Sequence, residues 1–470
     1  MDKDSIAAYW RESRALLAIA GPMTIAQVAQ MGTGVVDTVM AGRYSATDLA
    51  AIAIGYNLWL PLYLIFIGVL LGTTVIIAQD YGAGRLEPIR ESLPQALWLA
   101  LALGLIAAPL CYFAGPLLRL LNLDELTYSA SLGYLQATAF GLPAAAIFQA
   151  LRCHTQGIGI MRPFAIASVI GFIANIPLNY ALIYGKWGAP ELGATGCGWA
   201  TAISMWLSPV LISIYMLRAN SLKPYLPPLC WVTPRVSALR EILRVGAPMG
   251  LSFFLEVAVF SVIALMIATL GTAAVAAHQI AYNVWDVVYI FLISLGSALG
   301  TRVGHHIGAD SPVLVRRAVA TGSCMTLILA ALSTGFLLTA PGSIIAFYTD
   351  DPEIHTIATR LIQLAAFFIM IDALQVTTTF TLRAFKDTLF PFLVLCAVYW
   401  GVTLPLGYWL GIVREAGPLQ GTVGFWQAMI AGIALSTVIL SWRLWQTMTR
   451  ALPTDSPTTS AGNPRCKAQP

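Results

Sequence analysis

Residues 51–77 read AIAIGYNLWLPLYLIFIGVLLGTTVII, without one Asp, Glu, Lys, Arg or His. A helix needs about 20 apolar residues to cross a bilayer, and this run exceeds that. Comparable runs recur along the 470-residue chain near 15–36, 94–115, 131–151, 163–184, 193–217, 245–268, 278–300, 318–340, 357–381, 390–412 and 424–446. With 51–77 they predict an all-α integral membrane protein of 12 transmembrane helices. Composition agrees: 58% of residues are hydrophobic and 10% are charged, against roughly 25% charged in soluble domains. So few charges exclude a soluble fold, and so much apolar sequence excludes a disordered chain. The stretch Leu16–Ala20 is too short for a signal-peptide core and Gly21-Pro22 interrupts it, so the first span is expected to be retained. The seven cysteines are scattered without CxxC spacing, which argues against a disulfide framework or a zinc site.

The loops set an orientation. With the N-terminus in the cytoplasm, 21 of the 26 Lys and Arg fall on the inner side; Arg43, Arg119, Lys186, Arg360 and Arg414 fall outside. This asymmetry obeys the positive-inside rule and supports an even number of spans, with both termini cytoplasmic. Residues 1–14 form the expected N-terminal segment and 447–470 a tail rich in Pro, Thr and Ser, expected to be disordered.

The chain also repeats itself. An offset of 226 carries Pro22-Met23 onto Pro248-Met249, and Ile54, Tyr56, Asn57, Trp59 and Tyr63 onto Ile280, Tyr282, Asn283, Trp285 and Tyr289. An offset of 228 carries Pro163-Phe164 onto Pro391-Phe392 and Pro177-Leu178 onto Pro405-Leu406. Each unit holds six spans, so two bundles, 15–217 and 245–446, enter the membrane in the same direction. The basic, proline-rich stretch 218–244 joins them. Parallel repeats of this kind recur in transporters that rock one half against the other.

Four carboxylates stand inside the apolar runs: Asp37, Glu256, Asp286 and Asp372. An acid at membrane depth is costly, at least about 2.5–3.5 kcal/mol at the centre, and marks a functional site by default. Glu256 lies 12 residues from Arg244 and Asp372 lies 11 from Arg383, so the two share a level near the midplane. Asp286 is expected further out and Asp37 nearer the outer face. No Lys or Arg is read within the spans away from their ends, so these acids must bind a proton, a metal ion such as sodium, or a cationic substrate. Gln279, Tyr282, Asn283 and Tyr289 supply nearby oxygen and amide groups, and the spacing of Asn283, Asp286 and Tyr289 is read as one helical face. The acids are not duplicated: Glu256 aligns with Gln30, and Asp286 with Leu60. Ion coupling is therefore expected mainly in the C-terminal half. His305-His306 is read as a solvated inner loop. No GxxxxGK[ST] segment, HExxH motif or Ser/His/Asp cluster is present, which argues against ATP hydrolysis and against an enzyme. Nothing points to nucleic acid.

These residues carry a resemblance. The stretch GPMTIAQVAQMGTGVVDTVMAGRYSATDLAAIAIG (21–55) resembles the first helix and outer loop of multidrug and toxic compound extrusion (MATE) transporters. LRAFKDT (382–388) and the Glu256/Asp372 pair resemble the NorM branch. The resemblance covers roughly 10–450. It implies two six-helix lobes around a V-shaped cleft, alternating access, and export of cationic, amphipathic drugs and dyes in exchange for Na+ or H+. It implies no cofactor beyond that ion, a monomer in a bacterial inner membrane, and a cation site at Glu256 and Asp372 with Tyr289 and Gln279 nearby. It assigns Asp37 to coupling or substrate binding, and likens Asp350-Asp351 to an acidic pair near the substrate entrance. A flippase for lipid-linked precursors, from the same superfamily, is the rival reading; its anionic cargo would call for intramembrane Lys or Arg.

Overall fold

The computed structural model describes residues 3–228, 232–414 and 417–451. An apolar run in lipid must satisfy its backbone groups internally, and helices do so. The first half comprises α1 (Lys3–Tyr44), α2 (Ala46–Gly82), α3 (Leu86–Tyr112), the short α4 (Gly115–Arg119), α5 (Glu125–Ala139), α6 (Leu142–Ile158), α7 (Arg162–Tyr184) and α8 (Ala194–Arg218). The second comprises α9 (Val236–Ala268), α10 (Thr272–Gly308), α11 (Pro312–Thr339), the short α12 (Pro341–Ala346), α13 (Pro352–Ala384), α14 (Leu389–Val398), α15 (Leu404–Tyr408) and α16 (Gly417–Ala451). No strand occurs among the described residues.

All twelve expected spans are helical. Eleven are long and apolar enough to cross on their own, and α5 with α6 makes a twelfth, bent by 44°. The bend falls at Phe140-Gly141, just before Pro143. The eleventh span is also irregular: π-helical segments Tyr399–Thr403 and Trp409–Val413 flank α15, which carries Pro405. Proline removes a backbone donor, and neighbouring turns rewind around the gap.

The segment boundaries differ from the expected ones. Helix α1 begins at Lys3, so most of 1–14 is helical. The connector shortens to 219–235, with one 3₁₀ turn at Lys223–Tyr225, because α9 begins at Val236. Helix α16 runs to Ala451, and the rest of the tail lies outside the described residues.

Each bundle has its own hydrophobic core. A third core joins the two on the side that carries the chain ends, gathering Leu16 and Ile19 of α1, Ile158 of α6, Val303 of α10, Ala384 of α13 and Met448 of α16. Hydrogen bonds between the bundles reinforce that side: Gln27 Nε2 to Ser294 Oγ at 3.0 Å, Gln156 Nε2 to Ser297 Oγ at 2.6 Å, and Gln79 Nε2 to the Ala384 carbonyl at 2.8 Å. Helices α2 and α9 meet backbone to backbone. A Cβ on Gly68 would strike the Gly250 backbone, and one on Gly246 would strike the Val69 carbonyl.

His305 and His306 are not in a solvated loop; both are buried in α10. His305 Nε2 lies 2.7 Å from the Gly157 carbonyl of the other bundle. Arg302 makes a two-pronged ion pair with Glu12 of α1, at 2.9 and 2.7 Å, and His306 adds a third contact at 3.4 Å. Glu12 is itself buried. The bundles thus seal tightly on the chain-end side.

Candidate transport site

The first bundle borders a cavity of about 700 Å³. Its walls come from α1, α2, α5, α6, α7 and α8, with Asp286 and Ile290 of α10 facing them. Aromatic and aliphatic groups such as Tyr56, Trp59, Phe172 and Met205 dominate. Among the described residues no Lys or Arg lines it, while two carboxylates do, Asp37 and Asp286. Asp37 is buried and accepts from Asn179 Nδ2 at 2.6 Å and Thr201 Oγ1 at 3.1 Å. Asn179 in turn donates to Asn175 Oδ1 at 2.8 Å. These α7 and α8 partners hold the carboxylate at the cavity wall.

The second acidic site lies in the C-terminal bundle. Asp372 of α13 is 4% exposed and accepts from the indole Nε1 of Trp285 at 3.1 Å. The charge of Glu256 on α9 reaches Asp372. Tyr289 and Tyr399 both lie within the field of both carboxylates. Tyr289 stacks on Trp285 with ring centroids 4.9 Å apart. Tyr399, in the first π segment, accepts from Gln375 Nε2 at 3.0 Å, and Gln375 Oε1 accepts from Ser436 Oγ at 2.6 Å. A scaffold of aromatic rings and amides thus holds two acids that no Lys or Arg bridges among the described residues.

The structure brings Glu256, Asp372 and Tyr289 together and separates them from the rest of the expected set. At about 100° per residue, Tyr289 is rotated roughly 120° from Asn283, so i, i+3, i+6 is not one face. Asp286 turns instead to the large cavity, where it joins Asp37. Gln279 is exposed and donates to Asn283 Oδ1 at 3.0 Å, on that other side of α10. Asp350 and Asp351 are exposed, and Asp351 caps α13 by accepting from the backbone N–H groups of Glu353 and Ile354. Trp285, Gln375, Tyr399, Asn179 and Thr201 were not singled out from the sequence. Their polar atoms sit in apolar runs without a spacing signal, although the Trp59/Trp285 repeat marks a ring that both halves carry.

Arg152 and Arg383, expected in inner segments, belong to helices instead: Arg152 lies near the end of α6 and Arg383 in the last turn of α13, each 6% exposed. Each side chain lies over an aromatic ring: Arg152 over Phe164 at 4.6 Å, and Arg383 over Phe380 at 4.8 Å and Phe253 at 5.0 Å. The Arg383 charge reaches Glu256.

Comparison with known proteins completes the description. The family model MatE matches twice, over residues 22–181 and 248–409. The multidrug resistance protein PmpM of Pseudomonas aeruginosa is 40% identical over 92% of this chain and 91% of its own. The multidrug resistance protein MdtK of Edwardsiella ictaluri is 38% identical over 93% of this chain and 96% of its own. Among solved structures, an outward-facing multidrug resistance MATE transporter of the MOP superfamily superposes with a TM-score of 0.84, at 17% identity, over 94% of this chain and 97% of its own. The eukaryotic MATE transporter AtDTX14 superposes with a TM-score of 0.83, at 20% identity, over 94% and 98%.

Proposed function

The chain belongs to the MATE family and is a membrane transporter rather than an enzyme, and from that premise we propose that it is a multidrug efflux antiporter of the NorM type. It exports cationic, amphipathic compounds in exchange for Na+ or H+ entering at Glu256 and Asp372. Both termini are cytoplasmic, and the membrane is a bacterial inner membrane. The names of MdtK and PmpM support the cargo class.

One observation carries the reading: two spatially separate acidic sites, neither bridged by a basic side chain. Asp37 and Asp286 face a largely apolar cavity large enough for a drug-sized molecule. Glu256 and Asp372 sit apart in the C-terminal bundle among Tyr289, Tyr399 and Trp285. Uncompensated acids at this depth are tolerable when a mobile cation or proton occupies them. With the basic loops in the cytoplasm, the open cavity faces outward and the seal at Glu12, Arg302 and His306 closes the inner side. Cation binding to the acid pair would favour one arrangement of the bundles, and cargo binding the other; coupling requires that difference. A flippase for anionic lipid-linked precursors fits less well, since the cavity has carboxylates where it would need Lys or Arg.

The test is ethidium efflux into or out of inverted vesicles, driven first by a Na+ gradient and then by a pH gradient. Efflux under one gradient, lost in Asp372→Asn, is the expected result and identifies the ion. Efflux under neither gradient, or normal efflux in the folded variant, would overturn the proposal.

A further inference from the structure

Among the described residues, Arg383 is the basic group whose field reaches Glu256. It stands at a particular place in the path. Helix α9 runs away from the chain-end side, and Phe253 precedes Glu256 by one turn, about 4.5 Å nearer that side. The Arg383 guanidinium lies over Phe253 and over Phe380, so it occupies the level just beneath Glu256. Helix α13 runs toward the chain ends, and its side chains lean back toward its N-terminus, which tips this guanidinium up toward the acids. On its other side is a small void at the seam between the bundles, lined by Arg383 together with Thr74 and Gln156 of the first bundle and Ser297 and Thr301 of the second. Its Nη1 is buried without a hydrogen-bond partner among the described residues. A residue that served only to fold the bundle would be expected to satisfy that group, since an unmade hydrogen bond on a buried charge is costly.

We propose that Arg383 is an electrostatic plug: a fixed positive charge between the Glu256/Asp372 site and the sealed seam, which keeps a bound cation from leaving toward the chain-end side until the bundles part. The inference rests on the reading of the acid pair as a cation site. The plug does not bridge the acids, so it leaves them able to take a mobile cation from the open side. A cation moving toward the seam must pass the guanidinium, and repulsion at this range in a partly buried site is enough to slow it about tenfold. A neutral side chain of similar size would fill the space without the barrier. Arg383 therefore acts as a positioning residue for the ion rather than as a ligand.

The experiment is drug-free cation leak in proteoliposomes holding the full chain, measured under a Na+ gradient and under a pH gradient. Wild type, Arg383→Met, Arg383→Lys and the double variant Arg383→Met/Asp372→Asn are compared, each checked for monodispersity and melting temperature. The plug predicts a leak about tenfold above wild type in Arg383→Met, a return to near wild type in Arg383→Lys, and loss of the excess leak in the double variant. A folded Arg383→Met protein no leakier than wild type overturns the plug, as does an excess leak that survives Asp372→Asn. Should Arg383→Met not fold, Arg383→Lys and Arg383→Gln decide: equal leak in the two overturns it. Failure of the acid-pair reading looks different, since Asp372→Asn alone would then transport normally whatever Arg383 does.

Discussion

The two bundles keep the same aromatic frame and put different chemistry in it. In the first, the Trp59 indole donates to the Tyr134 hydroxyl at 3.3 Å, and Tyr63 accepts from Gln149 Nε2 at 2.9 Å. In the second, the equivalent Trp285 indole donates to the Asp372 carboxylate, and the equivalent Tyr289 lies in the field of both acids. Gln30 stands where Glu256 stands, and its amide donates to Ser168 Oγ at 3.4 Å. Each bundle also buries one arginine over a ring near the end of its fourth span. In the first bundle Arg152 donates to Gln149 Oε1 at 3.1 Å; in the second, the field of Arg383 reaches Glu256. The packing of a span is thus separable from its polar cargo. A neutral hydroxyl or amide satisfies the same indole as well as a carboxylate does, so only the second frame retains a group that can exchange a cation.

Removing the difference should have the largest effect. Asp372→Asn or Glu256→Gln makes the second frame neutral like the first, and ion-driven efflux should fall at least about tenfold in vesicles while the protein stays folded; unchanged efflux would break the comparison. Asp37→Asn strikes the cavity instead. Its expected signature is weaker cargo affinity, about fivefold, with drug-free ion binding preserved; loss of ion binding would mean that the two sites are not separate. The seam comes next. Gly246→Val forces α9 away from α2, and a spin-label pair across the seam should report a shift toward the state open on the chain-end side. Glu12→Gln should shift the same equilibrium more weakly, by about 1 kcal/mol, since the amide can still accept from an Arg302 that is partly solvated. The smallest change is Asp351→Ala, which removes a helix cap: about 1 kcal/mol of stability is expected to go, with transport unaltered. A marked transport defect in a folded Asp351→Ala protein would instead favour a role at the cargo entrance.

Much of this was legible from residue order. Hydrocarbon thickness fixes the length of an apolar run, so the twelve spans could be counted before any packing was known. Glu256 and Asp372 stood out because each is an isolated acid in such a run, and counting residues from a basic flank gave their depth. Helical phase was harder to read. Asn283, Asp286 and Tyr289 look evenly spaced, yet one turn holds 3.6 residues, and the drift sends Tyr289 to Asp372 and Asp286 to Asp37's cavity. Arg383 escaped because position along a helix does not give the position of a long side chain's tip. His305, His306 and Glu12 escaped because their partners lie between 148 and 294 residues away. A pair 290 residues apart, such as Glu12 and Arg302, leaves no local trace.

The glycine contact between α2 and α9 has a consequence for speed. Where main chains touch directly, no rotamers are frozen when the halves meet and none are released when they separate. Such a joint can be made and undone repeatedly with little entropic penalty in either direction, which suits a machine that must do so once per molecule expelled.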